Sequence, residues 1–166
     1  MQLKAKLPSF DEIPDMGLYL EQTTNFIARY LDPLLDTELT SSMISNYVKK
    51  GLIARPEKKK YRRDQIAYLF FIALSKTVLS LDDLKLLVKV QQASYPTKIA
   101  YEYFKETLEQ ALQAVFEEQA LVLEKAETPQ KLMLNNIIVT VAHKIYLQKY
   151  FQTLHEDELD QTNSEK

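Results

Sequence analysis

Apolar residues return every three or four positions from Leu18 to Phe151. A chain with that period cannot hide its apolar side in a pleated sheet, whose period is two, so a succession of helices is expected. Thr23, Ile27, Tyr30, Leu31 and Leu34 line one face of the first segment, and Pro33, lacking an amide proton, should end or kink it near Leu31 or Asp32. Thr40, Ser41 and Ser42 supply N-caps for a short helix running to Lys50, with Gly51 as the left-handed stop beyond it. Its inward residues would be Met43 or Ile44 with Tyr47 or Val48. Ile66, Leu69, Phe70, Ala73 and Leu74 form the next stripe, and Tyr68, Phe71 and Ile72 make the opposite side apolar too, which predicts a helix in the middle of the core.

Ser80-Leu81-Asp82-Asp83 opens a further helix on a capping-box pattern, continued by Leu84, Leu87 and Val88. Pro96 suits the first turn of a long helix from Lys98 to about Lys125, with Tyr101, Phe104, Leu108, Ala111, Val115 and Val122 along one stripe. Thr128-Pro129 opens a last helix carrying Leu134, Ile138, Val141, Ile145 and Phe151. It is expected to fade near Leu154 into an acidic, flexible tail over 155–166. Two glycines in 166 residues argue against a large sheet, and the fold class is mostly α. Outside the helices, Met1 to Asp15 reads as an irregular lead-in packing through Leu7, Phe10 and Ile13. Leu52 to Tyr61 reads as a short β-hairpin or wing, apolar at Leu52 and Ile53, broken at Pro56 and charged through Lys60.

Composition removes several functions. Without cysteine there are no disulfides and no thiolate metal sites, in keeping with a reducing cytoplasm. No apolar run approaches the roughly 20 residues that span a bilayer, and the start has no cleavable apolar leader, so a soluble intracellular protein with no membrane partner is expected. Two histidines, His143 and His155, are too few and too far apart for a metal cluster, and a half-buried structural role is the expectation for His143. No nucleophile elbow and no glycine-rich phosphate loop accompany the serines. Neither an enzyme nor a bound cofactor is expected.

Charge is segregated. Of 21 basic and 23 acidic residues, eight bases and one acid, Glu57, fall between Lys49 and Arg63, so this window is +7 while the rest of the chain is −9. A polyanion responds to that local field rather than to the net charge of −2. Ser42, Ser45, Asn46 and Lys49 are left to face outward from the short helix, and Asn46 can read adenine through paired hydrogen bonds in a major groove. Lys49, Lys50, Arg55, Lys58, Lys59, Lys60, Arg62 and Arg63 would neutralise phosphates.

Four stretches together resemble the MerR-type winged helix-turn-helix: Met43 to Ile53 with its Tyr47 and Gly51-Leu52-Ile53, then Lys60-Tyr61-Arg62-Arg63, then Ala67 and Leu69, then Leu79 to Leu87. The lead-in and the helical C-terminal part are similar to an uncharacterised bacterial domain-of-unknown-function family placed among MerR-like proteins. The resemblance implies a fold of four helices plus a short β-wing followed by two long amphipathic helices. It also implies a double-stranded DNA-binding transcriptional regulator, with Tyr47 on the recognition helix and Tyr61 and Arg62 on the wing near DNA. For Tyr47 and Tyr61 a role as core aromatics is an equal reading. Ser45, Asn46 and Asp64 depart from the residues usual in that pattern, which bears on the operator rather than on DNA binding.

The implied organisation is a DNA-binding domain over 1–92, a helical dimerisation or effector region over 93–154, and the tail. The resemblance and the two-fold symmetry of most operators imply a homodimer through the C-terminal helices, against a monomer in which they fold back. A small apolar effector among Tyr101, Tyr103, Phe104, Phe116 and Tyr146 competes with plain aromatic packing. A non-enzymatic interaction module, its basic patch on an acidic partner, is the alternative function.

Overall fold

A computed structural model describes residue 3 and residues 5–165. The chain is mostly helical: β1 (Leu18–Tyr19), α1 (Leu20–Leu31), α2 (Ser41–Lys49), β2 (Lys60–Tyr61), α3 (Arg63–Ser75), α4 (Leu81–Ser94), α5 (Thr97–Phe116) and α6 (Pro129–Ser164), preceded by a 3₁₀ turn at Phe10–Glu12. The expected caps form. Thr40 Oγ1 accepts the Met43 amide at 3.2 Å, Ser80 Oγ the Asp83 amide at 3.1 Å, and Thr128 Oγ1 the Lys131 amide at 3.1 Å.

The core is built around α3. Ile66, Leu69, Phe70, Ile72 and Leu74 are fully buried, as a helix apolar on every side requires. The Phe70 ring has Phe26 and Tyr30 of α1 and Tyr101 of α5 around it, at centroid distances of 6.2, 5.9 and 6.3 Å. Phe71 meets Phe104 edge-on at 5.0 Å. One apolar cluster runs from Leu7 to Ile145, so the first half of α5 shares the core of the preceding helices and no gap in packing falls at residue 92.

The lead-in packs through Leu7, Phe10 and Ile13, all buried, and is tied down by hydrogen bonds across the fold. Leu7 N–H donates to Glu109 at 2.9 Å, Phe10 N–H to Glu102, and the Tyr101 hydroxyl to the Pro8 carbonyl at 2.7 Å. Burial pushes the Tyr101 phenol well above its ordinary range, which keeps it a donor.

Several local expectations are corrected. The strand expectation at Leu52 and Ile53 fails: both are buried apolar residues of the core, and Lys60–Tyr61 pairs instead with Leu18–Tyr19, antiparallel, Leu18 opposite Tyr61. The long helix stops at Phe116 rather than near Lys125. Glu118 adopts a left-handed φ of 55°, and the Gln119 amide donates back to the Ala114 carbonyl at 2.9 Å, a helix stop made without glycine. Val122 leaves the stripe and is 84% exposed.

From Glu117 to Thr128 the chain returns along α5, because α5 and α6 lie parallel: Tyr103 bonds Asn135, and Phe116 stacks edge-on with Tyr146. Twelve extended residues reach about 40 Å, enough to retrace a 20-residue helix of roughly 30 Å. Helix α6 does not fade near Leu154 but continues to Ser164, since the acidic stretch holds no glycine or proline to break it. His143 is exposed on it, not half-buried. No helix among the described residues is long and apolar enough to cross a membrane.

Candidate nucleic-acid interface

Helix α2 is short because its stop is firm. Gly51 takes φ 77°, its amide donates to the Val48 carbonyl, and the Leu52 amide reaches the Tyr47 carbonyl at 2.9 Å. Ile44 and Tyr47 bury the inner face, which turns Ser42, Ser45, Asn46 and Lys49 outward at spacings of three and four. Ser42, Ser45 and Lys49 are exposed and Asn46 half-exposed, with Lys50 exposed beside the stop.

Leu52 and Ile53 then anchor the chain, and the Gln65 side chain of α3 fastens the next two residues by donating to the Ala54 and Arg55 carbonyls at 2.9 and 3.0 Å. Its Oε1 accepts the Arg62 amide at 2.7 Å, so one glutamine fixes both ends of the basic segment. Between them Glu57 and Lys60 exchange both backbone hydrogen bonds, at 3.1 and 2.9 Å, across a two-residue turn. The central residues, Lys58 and Lys59, have φ of 47° and 67°. Such turns normally carry glycine or asparagine, and a lysine there costs about 1 kcal/mol or more. Both side chains stand exposed at the tip. Lys60 lies over the Tyr19 ring at 5.2 Å, and Arg62 faces Glu57 at 3.7 Å, both partners well exposed.

Three of the expected contact residues are turned inward. Tyr47 and Tyr61 are only 2% and 4% exposed, so they are core aromatics and not groove contacts, and desolvation raises the Tyr61 phenol. Arg63 clamps the lead-in: its guanidinium donates to the Ile13 carbonyl at 2.7 Å and the Asp11 carbonyl at 3.2 Å and lies over Phe10. That leaves Ser42, Ser45, Asn46, Lys49, Lys50, Arg55, Lys58, Lys59, Lys60 and Arg62 on the surface. Among the described residues none of Lys49, Lys50, Arg55, Lys58, Lys59 and Lys60 pairs with a carboxylate.

Sequence reasoning missed Lys85. It is exposed on α4, and its ammonium lies 3.8 Å from where a Cβ on Gly51 would be, beside the carbonyl end of α2. Nothing in its local sequence points there, because only the packing of α4 delivers it. No group of three or more potential metal ligands occurs among the described residues.

The family model described as Domain of unknown function (DUF1836) matches residues 8–104. The chain belongs to this family. The DUF1836 stretch contains the lead-in, the basic turn, α1 to α4 and the first part of α5, up to Phe104, which packs on Phe71. Helix α6 lies outside it. No curated protein and no solved structure matches the chain.

Proposed function

We propose that this DUF1836 protein is a sequence-specific double-stranded DNA-binding transcriptional regulator of MerR-like winged helix-turn-helix architecture. In this reading α2 is the recognition helix and the Glu57–Lys60 turn is the wing. The observation that carries it is the turn itself: two lysines held at unfavourable positive φ, exposed and unpaired, next to a helix whose outer face is polar. A nine-residue helix is about 14 Å long, a fit to a major groove about 12 Å wide. Ser45 and Asn46 would read bases, while Lys49, Lys50, Lys58, Lys59, Arg62 and Lys85 would sit on phosphates. Regulation by a homodimer is part of the proposal. Past Tyr146, α6 carries Leu147, Tyr150, Phe151 and Leu154 at 47, 44, 54 and 39% exposure, an apolar stripe suited to a second copy, beside a cleft shared with Asp32, Leu35 and Asp36.

Selection of bound sequences from random duplexes tests specificity, and a salt titration tests the electrostatics. The expected outcome is an enriched motif and an affinity falling steeply with salt. Reversing Lys58 and Lys59 to glutamate should flatten the salt slope by about 2, one per phosphate contact. An absence of enriched sequence, together with tight binding to an acidic polypeptide, would replace this reading by a protein-docking role for the same patch.

A further inference from the structure

Between α3, α4, α5 and the start of α6 lies a cavity of about 260 Å³. Its walls include Phe71, Val88, Ala100, Tyr101, Tyr103 and Phe104. The cavity opens to solvent on one side, and a largely apolar cleft with a few polar groups is the usual form of a small-molecule site. Its mouth is apolar as well: Val90, Tyr95, Ile99 and Met133 are 38, 39, 58 and 37% exposed there. The volume exceeds the roughly 150 Å³ that holds benzene in an engineered cavity, and so admits one or two fused rings.

The polar lining narrows the ligand's chemistry. Lys131 is already committed, its ammonium 3.2 Å from Glu124 and over the Tyr103 ring at 4.9 Å. Gln91 accepts from the Tyr68 hydroxyl and donates to the Tyr95 carbonyl at 2.9 Å. The side chains of Glu127 and Gln130, which also line the cavity, hydrogen-bond no other described residue. What remains for a ligand is the Glu127 carboxylate, which only accepts, and the Gln130 carboxamide, which accepts and donates. An anion would face Glu127 with the one lining cation already paired, and the apolar walls would strip either ion of its hydration.

We infer that this cavity is a binding site for a small neutral aromatic molecule carrying an N–H or O–H donor. The inference does not depend on the DNA reading. Indole is a suitable probe, since the chain has no tryptophan and indole-selective emission then reports the ligand alone. Titration of the full chain into indole should give a saturable blue shift with one site per chain. 1-Methylindole, which lacks the donor, should bind about ten-fold more weakly.

Ala100→Phe, filling the cavity, should abolish the shift, with circular dichroism confirming the fold. Ser94→Phe, at an exposed position of the mouth, serves the same purpose if the first variant does not fold. An indole signal that fails to saturate, that persists undiminished in a folded filled variant, or that is matched by 1-methylindole overturns the inference.

Discussion

The two glycines are required for different reasons. Gly51 has a positive φ but open surroundings: an added Cβ would meet only the end of the Lys85 side chain, at 3.7 and 3.8 Å. Gly17 combines φ 90° with a Cβ position 2.9 Å from the Cβ of Lys60, where the lead-in crosses the basic turn. Gly51→Ala should therefore cost about 1 kcal/mol, and Gly17→Ala about 2 kcal/mol or more, read from urea unfolding midpoints. The reverse order would mean that the lead-in shifts to accept the methyl group. Gly51 was legible in the sequence because it follows a capped helical run. Gly17 was not, since its partner is distant in the chain. Tyr47 and Tyr61 were legible only as two equal readings, and burial decided between them.

At the level of the element, what a short segment signals by itself was readable: caps, stripes, and α2 with its stop. What depends on partners was not. The β pairing joins Tyr61 to Leu18, and neither carries a local mark of the other. Helix α5 ends on a left-handed glutamate that no rule singles out. The basic turn makes a sharper test, because its backbone and its proposed role pull in opposite directions. Lys59→Gly relieves the positive φ and should raise stability by about 0.5 kcal/mol, after allowing for glycine's extra freedom in the unfolded chain. It should also weaken duplex binding and reduce the salt slope by about 1. A variant that gains stability and loses no affinity would remove Lys59 from the proposed interface.

For the whole molecule, the charges along α6 set how a second copy would lie on its exposed half. Lys144 and Lys149 stand at its beginning and Glu156, Asp157, Glu158 and Asp160 towards its end. An antiparallel partner helix would set unlike charges together, whereas a parallel one would stack the acids. Sedimentation equilibrium should find a dimer in the unaltered chain. Leu147→Glu with Phe151→Glu should give a folded monomer with weakened affinity for two-fold symmetric duplexes. A wild-type chain that stays monomeric at high micromolar concentration would refute the proposed dimer. The candidate interface was more legible than this assembly, since clustered charge is visible in sequence whereas an apolar stripe looks the same whether a neighbour in the same chain or a second chain covers it.

The strap formed by residues 7–13 has a consequence for the order of events at the ribosome. Leu7, Pro8 and Phe10 are made well before α5, yet their hydrogen-bond partners there are Glu109, Tyr101 and Glu102. While α5 is still inside the exit tunnel, the leading segment has only the Arg63 clamp of α3 to dock on, and α3 lacks one of the aromatic partners of Phe70. The strap is thus seated fully only after α5 has been made. The nascent chain can form α1 and α2 early but cannot close around them until Glu109 has emerged.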